Sequence, residues 1–291
     1  MDLSIIIVSW KTKDLVRNCL ASVYKETRDL DFEVILIENN SQDGTCEMAR
    51  KEFPQVKLIA SSENLGFAKA NNLGIRQAQG RYILLLNPDT IILNGSLQKC
   101  VAYLEAHQEY QVLGCKLLYS DLTFQESCRR LPTFWDQAGI LLKLHNFFPN
   151  LGAIGRYYMK DFQYDKITEV DQIMGAFMLV RGEVWENVGL LDERFFAWFE
   201  EVDWCRRAKE AGFRIVFYPD AEIIHLKGQS FNKYLKRQWL FDMSLLSYFK
   251  KHHSWVAYFG LLCLVPINLV LDRMLALLVW MGVEVKKKKN L

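Results

Sequence analysis

The chain has 291 residues, 51% of them hydrophobic and 24% charged, which allows a sizeable buried core and excludes a disordered chain. A formal charge of +2, with no long basic stripe apart from the lysines at 286–289, argues against nucleic acid as a partner. Seven cysteines without a CxxC pair predict free thiols, and the opening MDLSIIIVSWKTKD is too briefly apolar for a signal-peptide core, so the catalytic part is expected on the cytoplasmic side.

In chain order, SIIIV (4–8), VILI (34–37), VKLI (56–59) and YILLL (82–86) read as strands. Between them Leu15, Cys19, Leu20 and Val23 recur at helical spacing, DGTCEMARKEF follows an Asp-Gly turn, and GFAKANNLGIRQAQG ends on Gly80. This is a βαβαβαβ pattern. Strands apolar along their whole length predict a mostly parallel sheet with helices on both faces. Residues 96–107 are again helical in pattern. Residues 114–170, rich in aromatics and arginine, show little period and suit a substrate-facing insertion or long loops. GAFMLV then predicts a strand, EEVDWCRRAKEAG a helix stopped at Gly212, and FRIVFY and AEIIHL two further strands.

The stretch 255–283 is almost wholly apolar but is divided by Pro266 and by Asp272-Arg273. Neither piece reaches the roughly 20 residues that a ~30 Å hydrocarbon core requires. With Lys250, Lys251, His252 and His253 before it and four lysines after, an interfacial membrane anchor is favoured. A span, a re-entrant hairpin and a homodimer or core element are the alternatives.

No GxxxxGK[ST] or GxGxxG loop is present, so bound phosphates would need a divalent metal. In LLLNPDT (84–90), Pro88 has no N–H to continue a ladder, so the strand should end there and present Asp89 at the carboxyl edge of the sheet, where α/β proteins bind ligands. His225 ends a later strand. Taken singly, Asp89 reads as a turn residue and His225 as a structural histidine. Glu200, Glu201 and Asp203 open a helix, as dipole-favoured acidic residues or as a positioned base that the helix N-terminus keeps ionised. Phe195, Phe196, Trp198, Phe199 and Trp204 supply a pocket wall or core. The polar loops ENNSQDGT (38–45) and ENLGFAKANN (63–72) follow the second and third strands.

Taken in order, SIIIVSW, ENNSQDGT, ENLGFAKANNLG, LLLNPDT, GAFMLVRGEVW, VGLLDERFFAWFEEVDWCRRAKEAG and IIHLKGQS resemble an inverting family-2 glycosyltransferase of the GT-A fold, in the bacterial rhamnosyltransferase-like branch. The resemblance covers about residues 3–230. It implies an α/β, Rossmann-like GT-A domain over 1–230, with a donor-binding half to about 113, an acceptor and catalytic half over 114–230, and an apolar helical, membrane-associating appendage over 231–291. It implies donor contacts from Ser9, Trp10, Glu38, Asn40, Asn64, Gly66, Phe67, Asn71 and Asn87, and Mn²⁺ or Mg²⁺ held by Asp89 and His225. Glu201 matches the catalytic base, with Trp198, Glu200 and Asp203 toward the acceptor. The implied partners are a nucleotide-diphosphate sugar and a glycan or lipid-linked acceptor at the cytoplasmic face of the membrane. Arg129, Arg130 and Arg156 would suit a lipid pyrophosphate. Three positions depart from the family pattern: Asn87 and Glu201 replace Asp, and Glu38 is one methylene longer than Asp. A sugar nucleotidyltransferase and a catalytically silent scaffold are the rival readings.

Overall fold

Four apolar runs pair in parallel: β1 (Leu3–Ser9), β2 (Phe32–Glu38), β3 (Lys57–Ala60) and β4 (Tyr82–Leu86). Helices α1 (Lys13–Glu26), α2 (Thr45–Glu52), α3 (Gly66–Ile75) and α4 (Ser96–Ala106) follow them. The period of two sends Ile5, Ile7 and Leu36 into the core with Val16 and Leu20 of α1 and Met48 of α2. The opposite set faces α3, whose Gly74 lets the helix approach Ile6 and Ile37 so closely that a Cβ would stand 2.5 Å from Ile6 Cγ2. The structure is a computed structural model and describes residues 1–226 and 234–280; the lysines at 286–289 and the expected domain boundary at 230 lie outside them.

Beyond β4 the sheet becomes mixed. It adds β5 (Thr90–Ile92), β6 (Val112–Leu118), the two-residue strands β7 (Phe124–Gln125) and β9 (Thr168–Glu169), then β11 (Phe177–Arg181) and β12 (Ile215–His225), while the short strands β8 (Cys128–Arg129) and β10 (Gln172–Ile173) pair with each other in a separate two-stranded sheet. The main order is β3-β2-β1-β4-β11-β6-β12-β5, with β11 antiparallel to both its neighbours. Two expectations are corrected here. The region after 113 contributes β6, an inner strand whose pattern is broken by Gly114, against which Ile173 packs, and by Lys116, paired with Glu222. FRIVFY and AEIIHL are one strand, β12, because the chain passes Pro219-Asp220 as an irregularity between Tyr218 and Glu222 and resumes pairing with β6.

The remaining helices are α5 (Phe134–Leu141), α6 (Leu144–Phe147), α7 (Gly152–Tyr157), α8 (Gly182–Val188), α9 (Glu200–Glu210), α10 (Tyr234–His252) and α11 (Trp255–Trp280). The chain forms two compact units. One joins residues 1–128 to 163–241 and holds the main sheet; the other joins 129–162 to the helices from Asp242 onward. In the second unit a Thr133–Asp136 capping box starts α5, Arg156 pairs with Asp136 at 3.0 Å, and Gly260 of α11 lies against Phe134. The expected division at Pro266 does not occur, since α11 runs through it with Pro266 on its exposed side. By length and apolarity alone, Trp255–Met274 is long enough to cross a membrane.

Candidate functional site

The fifteen residues implied for donor, metal, base and acceptor belong to the first unit, and most gather at the carboxyl edge of the sheet, whereas Arg129, Arg130 and Arg156 belong to the second unit. The strand order reverses direction at β1, so the loops after β1, β2 and β4 open side by side. The first two are tied together: the Lys11 amide donates to Ser41 Oγ (2.9 Å), and the Lys13 amide donates to Asp43 Oδ2 (3.1 Å). Glu38 is buried and accepts from the Ser41 amide at 2.6 Å, while its other oxygen faces Cys46 Sγ at 3.9 Å. Ser9 is fully buried and bonded to Thr12 Oγ1, whereas Trp10 is partly exposed with Lys11 Nζ 5.2 Å from its ring centre.

The turn at 64–67 is held by Asn39, the neighbour of the Asn40 that the resemblance implies. Asn39 Nδ2 donates to Asn64 Oδ1 and to the Gly66 carbonyl, both at 3.1 Å, and its Oδ1 accepts from the Leu65 amide at 2.8 Å. Asn40 instead turns into the left-handed region, partly exposed, with Gln42 Nε2 3.4 Å from its Oδ1. The two differ because the Asn39 amide still bonds the Ser9 carbonyl at the sheet edge. Gly66 has φ +75°, and a Cβ there would meet the Phe196 carbonyl at 2.5 Å; the Phe67 amide donates to that same carbonyl at 2.7 Å. Asn71 is buried and bonds the Phe67 carbonyl, a contact within its own helix.

The structure brings Asp89 and His225 together. β12 pairs with β5 so that His225 stands opposite Thr90, and the Leu226 amide donates to the Asp89 carbonyl at 2.9 Å. Asp89 Oδ1 and His225 Nε2 are 3.4 Å apart and both side chains are buried, with Asn87 Nδ2 3.5 Å from the same nitrogen. Gln125 on β7 lies 2.6 Å from His225 Nδ1 through its Oε1 and donates its Nε2 to the His225 carbonyl. An amide oxygen only accepts, so the ring carries an N–H on Nδ1 and turns Nε2 toward Asp89. Nothing in TFQESCRR marks Gln125 for this position, because only the β6–β7 hairpin brings it there.

The chain links this pair to the acidic helix start. The Asn87 amide donates to the Ala176 carbonyl, and a Cβ at Gly175 would stand 3.7 Å from both the Phe67 ring and the Glu201 Cβ. Trp198 and Phe199 enter α9 with φ of +64° and +68°, a conformation that costs about 1–3 kcal/mol for each non-glycine residue and concentrates at functional sites. Glu200 is buried and Glu201 partly so, and in each Oε2 has no hydrogen-bond partner among the described residues. Contrary to the expectation of an ordinary carboxylate, both are pushed up. For Glu200 the cause is burial and then repulsion by Glu201; for Glu201 it is burial, opposed by the amides of Glu201, Val202 and Gly175. Asp203, expected toward the acceptor, is fully buried and pairs with Arg207 at 2.9 Å, while Arg207 also donates to the Val188 and Leu190 carbonyls. Trp198 remains partly exposed, edge-on to Phe241 and with Arg237 5.9 Å over its ring.

These features meet independent comparisons. The chain is 27% identical over 239 residues to the N-acetylglucosaminyl-diphospho-decaprenol L-rhamnosyltransferase of Mycobacterium tuberculosis, covering 78% of this chain and 77% of that protein. It is 26% identical over 240 residues to the rhamnosyltransferase WbbL of Escherichia coli, covering 76% and 82%. The fold matches the mannosyltransferase PcManGT from Pyrobaculum calidifontis, solved with GDP-Man and Mn²⁺, with a TM-score of 0.57 over 99% of this chain and 81% of that one at 15% identity. A sequence model described as "Glycosyltransferase like family 2" matches residues 2–239, and the chain belongs to that family.

Proposed function

We propose that this glycosyltransferase moves rhamnose or a similar hexose, with inversion, from a nucleotide-diphosphate sugar to a glycan or lipid-linked acceptor in cell-surface polysaccharide synthesis. It works at the cytoplasmic face of a membrane, which it meets through 255–291. The observation that carries the reading is one sheet edge that joins the Asp89–His225 pair, through Asn87 and the 175–176 segment, to Glu201, whose Oε2 lacks a partner among the described residues. The rhamnosyltransferase relatives support the sugar, and the lipid-diphosphate named for the M. tuberculosis relative supports the acceptor class.

In the proposed reaction Glu201 takes the proton from an acceptor hydroxyl. The acceptor oxygen bonds the anomeric carbon as the bond to the diphosphate oxygen breaks, and the nucleotide diphosphate leaves with that electron pair. One in-line displacement inverts the centre. A carboxylate pushed up by burial is a stronger base than a free one. The turn at Asn64, Gly66 and Phe67, Trp10, Glu38 and Asn40 at the β1 and β2 edges, and Asn71 behind the turn would hold the donor; Ser9 would contribute through the strand end rather than its buried side chain. Trp198 and Glu200 would border the acceptor.

The donor set fits Mn²⁺ or Mg²⁺: a carboxylate oxygen and an imidazole nitrogen 3.4 Å apart, with the far ring nitrogen fixed by Gln125. Among the described residues no cluster of three or more His, Cys, Asp or Glu forms, so diphosphate and water oxygens would complete the shell. When bound, the ion neutralises charge developing on the leaving diphosphate.

The test is nucleotide-diphosphate release from a panel of nucleotide sugars with a lipid-linked acceptor, with Mn²⁺ or chelator, for the parent, Asp89→Ala and Glu201→Gln. The expected result is chelator-sensitive release from one donor, lost in Asp89→Ala and lowered about 10²–10⁴-fold in Glu201→Gln with donor affinity retained. Absence of both release and metal-dependent donor binding would leave the scaffold.

A further inference from the structure

α11 has the polarity of a water-exposed helix reversed. Its exposed positions recur every three or four residues along one stripe, where Val256, Phe259, Leu262, Ile267, Val270 and Met274 are apolar and Arg273 is the one charged residue among the described positions, long enough to carry its guanidinium toward water. Val256 is 82% exposed. The inward stripe carries Asn268 and Asp272. Asn268, fully buried, donates to both carboxylate oxygens of Asp242 at 3.2 and 3.3 Å, and Asp272 pairs with Lys143 at 2.8 Å with both side chains about nine-tenths buried. A surface helix in water turns such residues outward, whereas a helix bordered by lipid turns them in.

The flanks say which apolar medium this is. Trp255 stands exposed at the first position of the helix, and the sequence places Trp280 at its last, with Lys250 and Lys251 before and lysines 286–289 after. Aromatic residues followed by lysines at both ends match the interface and headgroups of an anionic bilayer, and a second copy of the chain would require neither. The inward stripe is occupied along the helix, by Phe134 at Gly260, by Asp242 at Asn268 and by Lys143 at Asp272. Lipid can therefore reach one side only.

We propose that α11 lies in the plane of an anionic phospholipid bilayer, with its outward stripe among the acyl chains at one shallow depth along its whole length. This rests on the membrane placement proposed above and is independent of sugar transfer.

The test attaches bimane to Cys263, the exposed thiol of the stripe, or to Val256→Cys or Val270→Cys in a Cys263→Ser background, all carrying Cys46→Ser in the full chain. Vesicles of equimolar phosphatidylglycerol and phosphatidylcholine carry a nitroxide either near the headgroup or at the chain end. The expected result is equal loss of fluorescence at the three positions, greater with the headgroup-proximal nitroxide. A gradient with position 263 deepest would overturn the in-plane arrangement while leaving membrane contact standing. No quenching at any position would overturn membrane contact itself, and would leave sugar transfer untouched. As a second measurement, Val256→Gln with Val270→Gln should abolish cosedimentation with these vesicles while circular dichroism is unchanged; retained cosedimentation with an unchanged spectrum counts against the stripe.

Discussion

Gln125 has no chemistry of its own to offer a sugar nucleotide, yet it sets which nitrogen of His225 is free. Gln125→Leu keeps the volume and removes the acceptor for the Nδ1 proton. Mn²⁺ affinity measured by calorimetry should then fall about 10–100-fold, and unchanged affinity would show that the bond does not present Nε2 to a metal. Glu200 yields a second prediction. A carboxyl raised in the folded protein keeps its proton there after the unfolded chain has lost it, so unfolding releases a proton and stability falls as pH rises from the ordinary 4.5 toward the raised value. Glu200→Gln removes that penalty. In a melting series it should be more stable than the parent near neutrality, with the advantage gone below the ordinary carboxylate range. Asp89, His225 and Glu201 could be picked out in the sequence because each stands at an element end with a polar interruption. Asn39 and Gln125 could not, since their roles depend on which neighbour the sheet edge or a hairpin brings within 3 Å.

The start of α9 shows how neighbouring positions are divided between structure and chemistry. Phe199 and Glu200 are buried, Glu201 reaches Gly175, and Asp203 points back to Arg207. The helical period puts Asp203 on a different face from Glu201, a division that the acidic composition alone does not reveal. Asp203→Ala would leave Arg207 without its buried carboxylate. A loss of about 3–5 kcal/mol of stability is expected, read as a lower Tm, with the acceptor KM of the folded fraction unchanged. A raised KM at unchanged Tm would return Asp203 to the acceptor side. The β-branched and apolar runs of β1, β2 and β4 were legible as strands because burial on both faces leaves no other reading of such runs. β6 and the continuity of β12 were not, because Gly114, Lys116 and Pro219 break the local pattern and are accommodated only by Ile173, Glu222 and the bulge.

At the scale of the molecule, every proposed donor, metal and base residue lies in the unit holding the main sheet, while the reversed polarity of α11 lies in the other. Lys143→Met tests that separation. It leaves Asp272 unpaired at about one-tenth exposure, which should destabilise the second unit by about 3–5 kcal/mol and lower vesicle binding, while Mn²⁺ binding persists. Adding Asp272→Leu should restore both, and loss of Mn²⁺ binding in the single variant would contradict the separation. The order of motifs along the chain was sufficient to establish the α/β class, the family resemblance and the principal acidic and imidazole candidates, because period, breaker residues and motif spacing are local properties. Tertiary structure alone decided that Asp203 is buried against Arg207, that the carboxyls of Glu200 and Glu201 are raised, that His225 is held through Nδ1, and that α11 turns Asn268 and Asp272 inward. Each of those depends on desolvation or on a partner distant in sequence, and neither is encoded in a residue's immediate neighbours.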